Sequence, residues 1–190
     1  MKIILLFTFC FLVTIYACNE PDSVKADPDD YDNNCDPSKN TYSWIENKEI
    51  VITSDTVYLT SASTDTVIMY RYSTTYGNNI IFEYAYFSMD CDYIDDEAWS
   101  ERLTFEIDKN LTEFEYTDTA IAETKCVYQK YGFIIPRGAG LVKSGIISGK
   151  KVSNRGWAIS ASVIITYPPY PGIPDNTSET VEFTGYFTKN

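Results

Sequence analysis

The chain has 190 residues, of which 44% are hydrophobic, so it can form one domain of ordinary size with a tail. Its 27 acidic and 15 basic residues give a net charge of −12, and this negative field repels nucleic acid. The sequence contains no histidine and no C-x-x-C pair. These absences exclude Ser-His-Asp triads, Cys-His dyads, histidine metal helices, zinc ribbons and thioredoxin-like redox pairs. We therefore expect a non-enzymatic protein with no cofactor and no nucleic-acid partner.

The first 17 residues have the pattern of a secretory signal peptide. Met1 and Lys2 precede a short apolar run that ends at Ala17. This run is shorter than the roughly 20 apolar residues that a membrane-spanning helix needs. Residues 15–18, Ile-Tyr-Ala-Cys, have the form of a bacterial lipobox, whose cysteine is lipidated and begins the mature chain. We therefore predict lipidation of Cys18, which would attach the protein to a membrane.

Residues 18–41 have the composition of an acidic, disordered spacer. Aspartates alternate there with prolines and asparagines, and no apolar periodicity is present. Such a segment repels itself and cannot bury enough apolar surface to fold. The sequence therefore predicts a tether over residues 18–41 and a folded domain over residues 42–190.

The body of the chain alternates apolar and polar residues with period two, as half-buried β-strands do. One face of residues 102–108 is apolar, and the other face, which carries Thr104 and Glu106, is expected to be exposed. A turn at residues 108–110 and a strand that buries Phe114 follow. This pattern predicts antiparallel pairing, with one face of the sheet in water.

Two C-terminal segments give the clearest strands. The last strand, residues 180–188, is predicted to bury its apolar positions and to bring Gly185 close to another segment. The predicted buried row of residues 157–165 consists of Trp157, Ile159, Ala161, Val163 and Ile165. With the earlier runs these segments make about ten short strands, which favour an antiparallel β-sandwich, with an up-and-down, lipocalin-like barrel as the alternative.

Three cysteines follow Cys18, and an oxidising compartment would allow one disulfide among them. Cys126 lies in an apolar alternation that suits a buried free thiol. Cys35 and Cys91 lie in polar segments, where an unpaired thiol would be exposed. We predict a Cys35–Cys91 bridge that attaches the end of the tether to the domain, and a Cys91–Cys126 bridge remains open.

Paired carboxylates are the candidate groups for acid–base catalysis in this sequence. Those that alternate along predicted strands are Glu83, Glu106, Glu113, Glu115 and Glu182. All-β glycosidases place two such groups across a cleft, but these residues fall on faces that we expect to be exposed. A separate acidic loop suits either calcium or plain solvation. Its candidate ligands are Asp90, Asp92, Asp95 and Asp96.

Residues 167–172, Tyr-Pro-Pro-Tyr-Pro-Gly, predict a stiff loop that displays Tyr167 and Tyr170. Aromatic side chains on a rigid loop suit stacking on a sugar or contact with a protein. A plain connection between the last two strands explains the same loop.

Four short Asp-Ser or Asp-Thr segments resemble the O-glycosylation acceptor of exported Bacteroidota proteins. The resemblance implies acceptors at surface positions, which we expect beside turns. The implied acceptors are Ser23, Thr56, Thr66 and Thr119.

The lipobox-like leader, the acidic tether and the β-rich body together resemble a small Bacteroidota-type lipoprotein of unknown function. Its C-terminal pattern includes Trp157-x-Ile159 and Phe183-x-Gly185-x-Phe187. The resemblance implies a lipid-anchored protein of the outer membrane or cell surface and transfers no catalytic residue. We expect a binding module for a glycan or a protein. The alternatives are a lipocalin-like carrier of an apolar ligand and a small glycoside-acting enzyme.

Overall fold

A computed structural model describes residues 35–58, 66–88, 90–91, 99–132, 139–168 and 178–190, without the side chains of Cys35, Asp90 and Cys91. Nearly every element within these ranges is a β-strand, and the one helix there is a 3₁₀ helix at Asp118–Thr124. The prediction of an all-β, sandwich-like fold is therefore confirmed. The predicted signal peptide and most of the predicted tether lie outside the described residues.

The described part of the chain contains ten strands, and two of them are much longer than predicted. β2 has 20 residues and β3 has 22 residues. The first strands begin at Cys35 and Lys39, which the sequence assigns to the tether. The strands are Cys35–Asp36 (β1), Lys39–Tyr58 (β2), Thr66–Phe87 (β3), Asp90–Cys91 (β4), Ser100–Asp108 (β5), Glu113–Thr117 (β6), Val127–Tyr131 (β7), Gly140–Ser153 (β8), Gly156–Thr166 (β9) and Ser178–Lys189 (β10).

Eight strands form one mixed sheet in the order β6-β8-β7-β5-β3-β2-β10-β9, and β1 pairs separately with β4. The pairing of β10 with β2 is parallel, whereas the other described pairings are antiparallel. Because β8 also pairs with β9, the strands from β8 through β7, β5, β3, β2 and β10 to β9 form a closed ring of hydrogen-bonded neighbours. The closure is not that of a regular barrel, since β6 lies outside the ring of strands and β7 joins β8 through two residue pairs.

A bulge accounts for the length of β2 and β3. The register of the two strands shifts near Lys48, and the preceding Asn47 has a φ of 57°. Asparagine adopts this left-handed conformation more readily than most residues. The bulge therefore absorbs the change of register, and both strands continue beyond it. We call residues 48–58 and 66–76, which lie beyond the bulge, the distal hairpin.

The distal hairpin folds over the outer face of β5. The Tyr72 hydroxyl lies 3.1 Å from the Thr104 hydroxyl, and the Ile50 N–H donates a hydrogen bond to the Glu106 carboxylate. Thr104 and Glu106 are consequently 1% and 3% exposed, so the prediction of an exposed face is wrong at both residues. Alternation shows that this face is polar, but it does not show that a distant segment covers it.

Aromatic rings fill the inner face of the sheet. The Phe82 ring centre lies 5.2 Å from that of Phe105, 5.4 Å from that of Trp157 and 5.7 Å from that of Phe187. All four side chains are fully buried. Stacked and edge-to-face pairs at these distances are favourable, and burial of each side chain contributes about 3 kcal/mol to the hydrophobic term.

The predicted buried rows of the last two strands are confirmed. Every member of the β9 row from Trp157 to Ile165 is buried, as are Val181, Phe183 and Phe187 in β10. A Cβ atom at Gly185 would lie 2.3 Å from a ring carbon of Tyr42. The predicted close approach at this glycine is therefore also confirmed.

Candidate functional site

The ends of neighbouring strands form a rim that is rich in aromatic and charged side chains. Two adjacent rows of paired residues cross β2, β3, β5 and β7 there. The side chains of the two rows project to opposite faces of the sheet, because side chains alternate along a strand. The inner row consists of Asn40, Tyr86, Glu101 and Lys130. The outer row consists of Lys39, Phe87, Ser100 and Tyr131.

Tyr128 brings two carboxylates together beside the inner row. Its hydroxyl donates a hydrogen bond to Oε2 of Glu101 at 2.6 Å and lies 3.3 Å from Oε2 of Glu179. The Nζ atom of Lys130 lies 3.6 Å from the Glu179 carboxylate and partly balances its charge. Burial, followed by the hydrogen bond to Glu101, raises the pKa of Tyr128. This phenol therefore stays protonated and acts as a donor.

A second protonated phenol, Tyr84, lies nearby on β3. Burial and the charge of Glu101 raise the pKa of Tyr84 to about 12. Its hydroxyl donates a hydrogen bond to Oδ1 of Asn40 at 3.1 Å, and its ring stacks on Phe183 with centres 4.4 Å apart. The inner side of the rim is thus a packed, hydrogen-bonded layer rather than an open cavity.

The outer side of the rim carries an open groove of about 430 Å³, which we call the aromatic groove. Aromatic side chains line it together with the N-terminal end of β2 and the segment before it. Trp99 and Tyr131 are 36% and 48% exposed, so part of each side chain is accessible to a ligand. Its lining includes Asp36, Lys39, Phe87, Trp99, Ser100 and Tyr131.

Trp99 is held in place by both its backbone and its ring. Its N–H donates to Oγ of Ser88 at 2.7 Å, and the Ser88 N–H donates to its carbonyl at 2.8 Å. The ring centre lies 5.0 Å from that of Tyr86, and Nζ of Lys130 lies 4.7 Å from it. Trp99 therefore connects the groove to the layer of Tyr86, Lys130 and Glu179 behind it.

The charges around the groove are mixed rather than uniformly acidic. Asp36 and Lys39 line the same wall, and Nζ of Lys39 lies 5.4 Å from the centre of the Phe87 ring. The Arg102 guanidinium lies 6.0 Å from the centre of the Tyr131 ring. Rings with hydroxyl, ammonium and carboxylate groups beside them suit a ligand with an apolar face and a polar edge.

The structure places one of the two predicted ligand tyrosines near this rim. Tyr167 is half-buried, and its ring centre lies 6.5 Å from that of Tyr128. It therefore packs beside the carboxylate pair instead of being displayed on a loop. Tyr170 lies outside the described residues, so its predicted role stays a prediction.

Three of the predicted glycosylation acceptors are described, and they lie on elements other than the rim strand ends. Thr56 and Thr66 are exposed on the distal hairpin, and Thr119 is exposed on the 3₁₀ helix. Ser23 lies outside the described residues. Thr66 is the first residue of β3, and Thr56 lies two residues before the end of β2.

The predicted calcium ligands belong to a segment whose side chains are not among those described. The side chain of Asp90 and all of Asp92, Asp95 and Asp96 lie outside the described residues. Among the side chains that the structure describes, no group of three or more acidic residues or cysteines could hold a metal ion.

The cysteines fall into two structural settings. Cys126 is free and buried, as predicted, and burial raises the pKa of its thiol. The backbone pairs Cys35 with Cys91 in the β1–β4 ladder. The described side chains contain no disulfide, and those of Cys35 and Cys91 lie outside that set.

The carboxylates that the sequence singles out are not those of the rim. Glu113, Glu115 and Glu182 are exposed as predicted, whereas Glu106 is buried. The sequence patterns did not identify three residues of the rim, Glu101, Glu179 and Trp99. Glu101 falls on the apolar side of the β5 alternation, and Glu179 precedes the predicted last strand. A charged residue that interrupts an apolar row is the signal that could have found Glu101.

A second hollow, of about 720 Å³, lies over β6, β8, β9 and β10. Its floor contains small side chains such as Ser148, Ala158 and Ser160, and its edge carries Glu113 and Lys150. The ring of Phe114 is buried beneath it. With no exposed ring among its lining residues, this hollow gives a ligand less to stack on than the aromatic groove.

The comparisons with known proteins leave the site to be interpreted from its own chemistry. No protein-family model, no curated protein and no solved structure matches the chain. A helix of the length and hydrophobicity required to cross a membrane does not occur in the described ranges.

Proposed function

We propose that this protein is a lipid-anchored cell-envelope protein whose β domain binds a neutral glycan in the aromatic groove. The observation that carries the proposal is the exposure of Trp99 and Tyr131 in a groove that also contains hydrogen-bonding side chains. A pyranose ring has an apolar C–H face, which can stack on such rings, and a hydroxyl edge, which can bond to Ser100 or Asp36. The net charge of −12 disfavours an anionic glycan.

The size of the groove supports a short segment of glycan. Its volume of about 430 Å³ lies within the range of small-molecule sites, which is about 300–1,000 Å³. Trp99 is fixed by Ser88 and Tyr86, so little side-chain freedom is lost when a ligand stacks on it. We therefore expect recognition of one or two sugar units within a longer chain.

The packing of the interior favours this binding role over the lipocalin-like alternative. Such a carrier needs an apolar cavity, whereas Phe82, Phe105 and Trp157 are fully buried and in mutual contact through Phe82. The aromatic groove and the hollow over β6, β8, β9 and β10 are both open to the surface and contain polar side chains.

A glycoside-acting enzyme is the second candidate, and the Glu101–Glu179 pair favours it. Both carboxylates lie within hydrogen-bond distance of the Tyr128 hydroxyl, so they are close enough together to flank one glycosidic bond. However, the Tyr128 hydroxyl lies between them, and Lys130 partly balances the charge of Glu179. A panel of chromogenic glycosides tests this candidate, and turnover that Glu101→Gln abolishes would replace the binding proposal.

A glycan array followed by calorimetry on the full chain tests the binding proposal. We expect retention of neutral glycans and a dissociation constant at least tenfold higher for Trp99→Ala, because the variant loses a stacking surface. Tyr76→Ala is the matched control, since Tyr76 is 87% exposed and lies on the distal hairpin. An array without retained glycans, or equal weakening by both variants, would contradict the proposal.

Membrane fractionation of the producing cells tests the lipid anchor. The wild-type protein should sediment with the envelope, because several acyl chains on Cys18 each contribute about 0.8 kcal/mol per buried CH₂ group. Cys18→Ala should move it to the soluble fraction. Cys10→Ala, within the same leader, is the control and should leave the protein in the envelope. Retention of the Cys18→Ala protein in the membrane would refute the anchor.

A further inference from the structure

The ladder of β1 and β4 places two cysteines opposite each other beside the aromatic groove. Cys35 is the Cα partner of Cys91, and Asp36 is the Cα partner of Asp90. Cα atoms of antiparallel partners lie about 4.5 or 5.5 Å apart, and a disulfide spans both distances. The sequence alone could not provide this register, because the two cysteines lie far apart in the chain.

The same ladder forms the edge of the groove. Residues Asp36, Pro37 and Lys39, which follow Cys35, line one wall. Ser88 and Trp99, which flank the segment that contains Cys91, line the groove as well and are joined by two hydrogen bonds. A link between β1 and β4 would therefore hold one wall of the groove against the segment that carries Trp99.

Hydrogen bonding alone gives this ladder little stability. Each of its strands has two residues, and it forms a separate sheet. Even a longer two-stranded ribbon is marginally stable in water. A covalent link would make the position of Asp36 and Lys39 relative to Trp99 persistent.

We propose that Cys35 and Cys91 form a disulfide that fixes the wall of the aromatic groove, so that ligand affinity depends on the oxidation state of this pair. The effect on affinity rests on the proposed glycan-binding function, whereas the bond itself does not. Cys126 does not compete for either partner, because its buried thiol is only 4% exposed.

The bond forms by exchange with an oxidised dithiol protein of the envelope. The thiolate of one cysteine attacks the disulfide of the oxidant, which gives a mixed disulfide and releases one thiol of the oxidant. The second thiolate then attacks the mixed disulfide, and the other sulfur of the oxidant leaves as a thiol. Two protons and two electrons pass to the oxidant, which ends fully reduced.

Tryptic mapping of the non-reduced, full-length protein from the envelope tests the bond. We expect a cross-link between peptides 26–39 and 72–102, with peptide 126–130 as a free thiol, because cleavage follows Lys25, Lys39, Arg71, Arg102, Lys125 and Lys130. Cys126→Ala is the control and should leave the cross-link unchanged. A bridge that contains Cys126, or two uncross-linked peptides, would overturn the proposal.

Calorimetry with a glycan retained on the array tests the effect on the groove. We expect a dissociation constant at least fivefold higher after mild reduction of the wild type, and a similar value for the Cys35→Ser, Cys91→Ser double variant. A mapped bond with equal affinities in both states would overturn the role in binding. An array without retained glycans would overturn the proposed function while the mapping result still decides the disulfide.

Discussion

The outer faces of β5 and β10 follow the same apolar–polar alternation in sequence, but the structure buries polar residues of the first face and leaves the second exposed. Glu106 on β5 is 3% exposed beneath the distal hairpin, whereas Glu182 on β10 is exposed. Glu182 accepts one hydrogen bond at 2.9 Å, from the Ser162 hydroxyl on the neighbouring strand. The difference shows that a polar face can become interior when a long-range element folds over it, provided that its charges find partners.

Glu106 has such partners on three sides. It accepts hydrogen bonds from Nδ2 of Asn79 at 2.9 Å and from the N–H of Ile50, and Nζ of Lys125 lies 2.9 Å away. Lys125 also contacts Glu49 at 2.7 Å and donates to the carbonyl of Ile50 at 3.0 Å. Glu106 and Lys125 thus bond to both backbone groups of Ile50, on a side of β2 where the described strands provide no neighbour.

The largest predicted effect comes from removing the covered carboxylate. Glu106→Ala leaves Lys125, Asn79 and the Ile50 N–H without their shared acceptor, so we expect a loss of about 3 kcal/mol in the free energy of unfolding. Denaturant unfolding followed by tryptophan fluorescence measures this loss.

Glu182→Ala is the matched control on the open face. Its carboxylate is exposed, so removing it should change the free energy of unfolding by less than about 0.5 kcal/mol. Equal losses in the two variants would show that coverage by the distal hairpin does not determine the importance of the carboxylate.

This comparison also shows what the sequence could predict about the fold. The row from Trp157 to Ile165 and the burial of Phe114 were predictable, because each follows from alternation within one strand. The burial of Thr104 and Glu106 was not, because it depends on the bulge near Lys48 and on contacts with Tyr72 and Ile50. These contacts join residues that are far apart in sequence.

The candidate site was less predictable than the fold for the same reason. Trp99 precedes β5, Tyr131 ends β7 and Lys39 begins β2, and only the register of the sheet brings them to one rim. The local pattern pointed to Tyr167 instead, because Pro168 and Pro169 follow it. Tyr167 does lie near the rim, but it packs against the layer behind the groove.

A smaller effect is expected at high pH, where the covered ion pair loses its charge. Although burial disfavours the charged form, the hydrogen bonds to Glu49 and Glu106 raise the pKa of Lys125 above its ordinary value of 10.5. A raised pKa in the folded state gives stability that is fully present below the ordinary value and is lost as the pH rises through the folded-state value.

The free energy of unfolding of the wild type and of Lys125→Met, measured from about pH 8 to pH 12, tests this prediction. The advantage of the wild type should shrink above pH 10.5, while effects from Tyr84 and Tyr128 should largely cancel because both proteins contain them. Lys150→Met is the control on the open face. Its partner Glu113 lies 3.8 Å away, and both side chains are more than 70% exposed, so solvent screens the pair. A constant advantage over Lys125→Met across this range would mean that Lys125 stabilises the hairpin through packing of its methylene chain rather than through its charge.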